Sequence, residues 1–331
     1  AAFDHRHIFI DPDPDPESSW KERARMFDLP RSSWADYNKS LISKGGGIFP
    51  RTVKEIALTP EIKKLAGIAK DKATPAELMK ALLKADVDLL WFGGIGTYVK
   101  ASGQTNLDVG DRANDAIRIN GADIRAKVVG EGANLGCTQL GRVEYALKGG
   151  RINTDAIDNS AGVDTSDHEV NLKILLATPQ RRGKLSMDAR DTLLTEMTDD
   201  VAALVLEDNY EQTKALSVAQ SRGIKDLDAQ ARFMRDLEKR GKLDRAVEFL
   251  PSDEEMRKRG QDGKGLTRPE LAVLLAYAKL DLDAEILASD LPDDPYFEST
   301  LAAYFPEAVV KRFPDALKQH RLRREIISTV L

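Results

Sequence analysis

Lys127-Val-Val-Gly-Glu-Gly-Ala-Asn134 and Arg151-Ile-Asn-Thr-Asp-Ala-Ile-Asp-Asn-Ser-Ala-Gly-Val163 each read as an apolar strand entering a small-residue turn that carries an asparagine. The β-branched run at Lys127–Val129 is too short for a helix, and glycines at 130 and 132 bound it, so it predicts a buried strand. Glycine at the strand end lets the backbone approach a bound group or take positive φ, and Asn134 brings a donor and an acceptor to one point. Asn159 repeats the design ahead of a helix-like run, His168–Leu176, for which Ser166 or Asp167 is the expected cap. A helix N-terminus favours anions, which makes Ser166 a candidate anchor for a carboxylate. Ordinary turn chemistry also accounts for glycine and asparagine at either place. Two such turns on successive strands point to a ligand-binding sheet edge.

A third apolar strand, Val87–Phe92, ends in Gly93-Gly94-Ile95-Gly96-Thr97. Helical patterns lie between the strands: one begins at Thr59, and another has Pro75 in its first turn with Leu78, Leu82 and Leu83 on one face. Strands and helices alternating in this way predict an open α/β sheet whose ligands sit beyond the carboxyl ends of the strands. Asp4 follows the short apolar segment Ala1-Ala2-Phe3. An acidic residue at a strand end is where dinucleotide folds hold the adenosine ribose, ~20 residues after a glycine fingerprint that would here precede residue 1. A surface aspartate is the alternative. Asp11-Pro-Asp-Pro-Asp-Pro16 must be extended, and a metal-binding reading of its aspartates has little behind it. Trp20–Phe27 predicts a short helix. Lys44-Gly-Gly-Gly47 has no preceding strand and no GKS or GKT, so it is a loop and not a phosphate cradle.

The 331 residues are 42% hydrophobic and 31% charged, enough for two domains with substantial cores. A net charge of −5 argues against a general nucleic-acid role. No apolar run of ~18 residues and no signal peptide is visible, so a soluble chain with no membrane partner is expected. The lone cysteine, Cys137, rules out an internal disulfide and a multi-cysteine zinc site and fits a reducing cytoplasm. It follows Gly136 in a turn and reads as a chance thiol. No metal site is expected.

Beyond residue 178 the pattern is helical. Leu193, Leu194, Met197, Val201, Leu204 and Val205 suggest one long helix from Ser186 to about Ser221, roughly 50 Å at 1.5 Å per residue. Shorter candidates follow at 226–240, 242–249, 252–260, 267–289 and 294–312, with a capping box at Thr267 and Glu270. The basic run Lys311–Arg324 reads as a solvated helix face. His168 and His320 read as surface or hydrogen-bonded residues. The chain lacks an initial methionine and stops within a helical pattern, so it is expected to be part of something longer.

Phe-Asp-His-Arg-His-Ile-Phe-Ile-Asp-Pro (3–12), Leu-Leu-Trp-Phe-Gly-Gly-Ile-Gly-Thr-Tyr (89–98), Gly-Glu-Gly-Ala-Asn-Leu (130–135) and Asp-Asn-Ser-Ala-Gly-Val-Asp (158–164) closely resemble the large NAD-specific glutamate dehydrogenases of bacteria. The resemblance extends over essentially the whole chain, including Leu-Thr-Arg-Pro-Glu-Leu-Ala-Val-Leu-Leu-Ala-Tyr-Ala-Lys (266–279). It implies a Rossmann-like open parallel sheet, incomplete at its N-terminus, over residues 1–177, and a mostly α-helical C-terminal domain over 178–331. It implies NAD as cofactor, with Asp4 on the adenosine ribose, Gly93, Gly94, Ile95 and Gly96 lining the cleft, Asn134 on the nicotinamide ribose, and Glu131 and Gly132 of the same turn among the cofactor-binding residues. Asn159 would orient the carboxamide. Val163 would form a wall of the glutamate pocket and Ser166 would contact a substrate carboxylate. The implied reaction is oxidative deamination of L-glutamate to 2-oxoglutarate and ammonia by a homo-oligomer. The catalytic lysine and acid/base carboxylate of the family precede the cofactor domain, so no catalytic residue is expected here and the chain alone is expected to be inactive. Leu-Gly-Cys-Thr-Gln at 135–139 departs from the proline-containing turn of the smaller glutamate dehydrogenases, which leaves contacts near Cys137 open. The alternative is an assembly or regulatory module that retains a nucleotide-binding fold as scaffold.

Overall fold

The computed structural model describes all 331 residues, which divide into two compact units, Ala1–Asp155 and Ala156–Leu331. The first is mixed α/β and the second is helical. The expected domain boundary at 177/178 falls inside one continuous helix, Ser160–Arg181.

Ten short strands build the first unit: β1 Ala2–Phe3, β2 His7–Ile10, β3 Gly47–Pro50, β4 Ile56–Ala57, β5 Lys72–Ala73, β6 Leu89–Phe92, β7 Val99–Lys100, β8 Ile119–Asn120, β9 Val128–Glu131 and β10 Arg151–Ile152. The parallel part has the order β10-β9-β6, with Leu89 beside Val128, Phe92 beside Glu131 and Arg151 beside Val128. A second parallel pair sets Val99 beside Ile119. A single parallel sheet reaching back to residue 1 is not what forms. β1, β2 and β3 make a separate antiparallel sheet, with Ala2 opposite Phe9 and Ile10 opposite Gly47. The cause is local. Asp4 Oδ1 accepts from the amides of Arg6 (2.6 Å) and His7 (2.7 Å), and its own amide donates to the His7 carbonyl, which closes a hairpin.

Helix starts in this unit follow from threonine and proline. Thr59 and Thr74 accept from the amides of Ile62 and Glu77, and Pro60 and Pro75 occupy the first turns. Their apolar faces, through Ile62, Leu78, Met79 and Leu82, close over Ile8 and Ile10 of β2. A second core joins Phe92, Val99, Ile119, Val129 and Ile152 of the parallel strands to Cys137 and Tyr145.

In the second unit the expected helix over 186–221 is two, Met187–Glu196 and Thr198–Arg222. The chain leaves helical geometry at Met197 (φ −91°, ψ 5°), and this residue packs with Leu172, Leu176 and Leu193, so the break lets both segments face one core. The helix expected near His168 begins at Ser160, so Ser166 lies inside it and not at its N-terminus. Asn209 fixes that earlier start by donating to Ser160 Oγ (2.7 Å) and the Ile157 carbonyl (2.9 Å). The segment 242–249 is a series of turns and no helix, held by Asp244 Oδ1 accepting from the Ala246 and Val247 amides. The candidate at 294–312 resolves into a 3-10 turn, Pro295–Phe297, and two helices, Glu298–Ala303 and Glu307–Arg312, separated at Pro306. The Thr267–Glu270 capping box forms, and Glu270 also receives two hydrogen bonds from Arg259 (2.6 and 2.8 Å).

Candidate functional site

The carboxyl ends of β6 and β9 lie side by side, and each continues into a glycine turn. The Ala133 amide donates to the Phe92 carbonyl (3.0 Å), which brings the Gly132–Asn134 turn against the Gly93–Thr97 turn. Gly96 needs its glycine (φ 128°), because a side chain at that φ is strained. The turn is pinned from below: the Thr97 amide donates to Asp111 Oδ2 (2.8 Å), the Tyr98 hydroxyl donates to the Ile95 carbonyl (2.9 Å), and the Tyr98 ring stacks on Phe92. Ile95 is left 94% exposed at its tip, and Asn134 is exposed on the neighbouring turn. A Cβ on Gly132 would stand 2.3 Å from the Trp91 ring, so only glycine lets that backbone pass the indole.

Beneath the asparagine turn lies a buried ionic network. Glu131 is 0% exposed; it accepts from Arg142 Nε (2.7 Å) and Nη2 (2.9 Å) and from the Cys137 amide (2.9 Å). Arg142 also reaches Asp155 Oδ1 (3.1 Å), while Asp155 Oδ2 accepts from the Leu135 amide (2.8 Å). The network thus grips the turn at 135 and 137. Burial pushes the Glu131 carboxyl above its ordinary value, and Arg142 draws it back down. Glu131, expected among the cofactor residues, turns its carboxylate inward and shapes the turn from below. Leu135 takes φ 63°, the left-handed region that costs a branched residue energy. Cys137 is buried, and burial followed by the Glu131 charge pushes its thiol well above the ordinary range, an environment that suppresses the thiolate.

Asp4 lies in the β1–β2 hairpin with Oδ1 engaged by two amides, and the ring of the preceding Phe3 meets the Tyr98 ring edge-on, 6.1 Å between centroids. Asn159, Val163 and Ser166 belong to the second unit. Asn159 precedes the first residue of the Ser160–Arg181 helix without capping it, and Gly162 leaves room for its amide, since a Cβ there would lie 2.7 Å from Asn159 Oδ1. Val163 and Ser166 are exposed and one turn apart on that helix.

A cluster that sequence reasoning missed occupies another face of the same helix. His168 is 1% exposed, and its Nε2 lies 3.8 Å from Asp164 Oδ1 and 3.8 Å from Asp208 Oδ2. Its ring stacks on Tyr304 (centroids 4.2 Å apart, 12° between planes). Burial pushes the Asp164 carboxyl up against the pull of His168, and Asp208 adds to the rise. The Asp-x-x-x-His spacing at 164–168 was a readable signal; Asp208, on a different helix, was not.

Residues 1–219 match the family described as bacterial NAD-glutamate dehydrogenase, catalytic domain. The chain belongs to that family. Residues 263–331 match the glutamate dehydrogenase C-terminal family. The NAD-specific glutamate dehydrogenase of Pseudomonas aeruginosa is 58% identical over 329 residues, which is 99% of this chain and 20% of the relative. The proteins of the same name from Halomonas elongata and Mycobacterium tuberculosis are 53% and 51% identical over 99% and 100% of the chain, and over 20% and 21% of their own lengths. The chain therefore spans about a fifth of the length of the curated relatives it matches. No helix of this dehydrogenase family member is long and apolar enough to cross a membrane.

Proposed function

We propose that this chain is the cofactor-binding and C-terminal part of an NAD-dependent glutamate dehydrogenase, with a Rossmann-like sheet that is completed by residues outside the 331. One observation carries the reading: two adjacent parallel strands, β6 and β9, end in glycine turns that meet at their carboxyl ends and present Asn134 to solvent. Ligands of open α/β sheets bind there. The residues fit a dinucleotide, because Gly94 has open space where a Cβ would stand and Gly132 holds the backbone tight against Trp91.

When bound, NAD supplies the hydride acceptor for oxidative deamination of L-glutamate to 2-oxoglutarate and ammonia. The chain's own residues bind and orient. Backbone at Gly93, Gly94, Ile95, Gly96 and Gly132 lines the cleft, and the Asn134 amide holds the nicotinamide ribose. Asn159 orients the carboxamide, Val163 walls the substrate side chain, and Ser166 contacts a carboxylate through its hydroxyl, since the helix N-terminus lies six residues earlier at Ser160. Asp4 contributes to the adenosine ribose with the carboxylate oxygen that the hairpin leaves over, and Glu131 acts as a positioning residue. The lysine and carboxylate that move protons come from the rest of the protein, so the 331 residues alone turn nothing over. The test is glutamate-dependent NADH formation by the purified chain and by the intact protein: only the intact protein should be active. Turnover by the chain at the rate of the intact protein would refute the division of labour.

A further inference from the structure

We propose that Asp164, His168 and Asp208 form a binding site for one divalent transition-metal ion of the zinc or manganese type. The donor atoms, one imidazole nitrogen and two carboxylate oxygens, all lie within 4.8 Å of one another. Asp164 and His168 stand four residues apart, on one face of the Ser160–Arg181 helix, and Asp208 comes from the Thr198–Arg222 helix packed against it. Ligands projecting from facing helices are the usual way a helical bundle builds a metal site.

The independent observation is His168 itself. Its ring is buried, and neither Nδ1 nor Nε2 has a hydrogen-bond partner; Asp164 Oδ2 has none either. A buried polar group left without a hydrogen bond is unfavourable, so a ring kept dry with neither nitrogen hydrogen-bonded calls for a ligand. Stacking on Tyr304 fixes the ring plane, while Nε2 stands equidistant, at 3.8 Å, from one oxygen of each aspartate. Ligands about 2.1 Å from a tetrahedral ion stand roughly 3.4 Å apart, so the two imidazole–carboxylate edges of this triangle need only a few tenths of an ångström of closure. With a neutral imidazole the donor set carries two negative charges, which a divalent ion cancels. Lys279 feels both carboxylates electrostatically, but its ammonium donates to Gln212 Oε1 (2.8 Å). Imidazole with carboxylates suits zinc and manganese better than magnesium or calcium, which prefer all-oxygen shells. Three protein ligands leave a fourth position to water, on the side where Asp208 is 59% exposed.

The test uses the chain stripped with EDTA, titrated with Zn²⁺ and with Mn²⁺ by calorimetry and with Co²⁺ by visible absorption, alongside Asp208→Asn and His168→Gln. The expected result is one equivalent of Zn²⁺ and Co²⁺ bands characteristic of a nitrogen–oxygen shell. Asp208→Asn should weaken binding by at least roughly tenfold, and His168→Gln should remove the bands. If His168→Gln fails to fold, Asp208→Asn, at a side chain more than half exposed, carries the decision alone. Absence of Zn²⁺ and Mn²⁺ binding, or binding unchanged by Asp208→Asn, would overturn the proposal. Neither result depends on whether NAD binds.

Discussion

The segments around Asn134 and Asn159 read almost alike in the sequence, yet they fold differently. Asn134 sits on a true turn at the end of a parallel strand, braced by a buried ion pair and a left-handed leucine. Asn159 sits at the start of a 22-residue helix that runs straight through the glycine and alanine expected to form a turn. Small polar residues tolerate both outcomes, so the partners decide. Arg142 and Asp155 hold the first as a turn, and Asn209 holds the second as a helix end.

That contrast can be broken most forcefully at Arg142. Arg142→Met leaves the fully buried Glu131 carboxylate without its cation, and the loss expected for such a pair is about 3–5 kcal/mol in urea unfolding. A loss under about 1 kcal/mol would mean that the network does not brace the turn. The two glycines offer a test of sign. Gly132→Ala drives a Cβ into the Trp91 ring and should cost about 1–3 kcal/mol. Gly162→Ala, inside a helix and facing only the end of the Asn159 side chain, should be neutral or stabilising by up to about 1 kcal/mol. Equal destabilisation by both would erase the distinction between turn and helix.

A smaller effect separates the helical unit by its acid response. Asp281 is pulled down to about 2 by Arg240 and then Lys242, below the ordinary aspartate value. A carboxyl depressed in the folded state contributes stability above its unfolded pKa and loses it as pH falls toward the folded value. Unfolding of the wild-type chain between about pH 4 and pH 2 should therefore steepen relative to Asp281→Asn; superimposable acid limbs would contradict the assignment. The smallest expected effect is at Cys137, whose buried thiol should resist iodoacetamide until the chain is denatured, as mass spectrometry of the labelled protein would record.

Much of the fold was legible because the signals were local. Thr59-Pro60 and Thr74-Pro75 start helices, Thr267 and Glu270 cap one another, and Leu89–Phe92 and Val128–Glu131 are strands. The losses came where a distant partner rules. Asp4 looked like the end of a parallel strand, but Gly47–Pro50 pairs with the returning strand and makes an antiparallel hairpin of the start. The apolar period across Met197 continues unbroken, so nothing in it announces that the helix must turn to share a core with Leu172. Within the candidate site, the glycines and Asn134 were legible by type. The inward aim of Glu131 was not, because its partner Arg142 lies eleven residues on in a helix with no marking that it pairs.

The central claim, that the meeting glycine turns of β6 and β9 hold NAD, is tested most directly by calorimetric titration of NAD into the intact protein and its Asn134→Ala variant. Loss of one or two hydrogen bonds to the ribose should weaken binding by about tenfold with unfolding unchanged. An Asn134→Ala protein that folds normally and binds NAD with wild-type affinity would contradict the account.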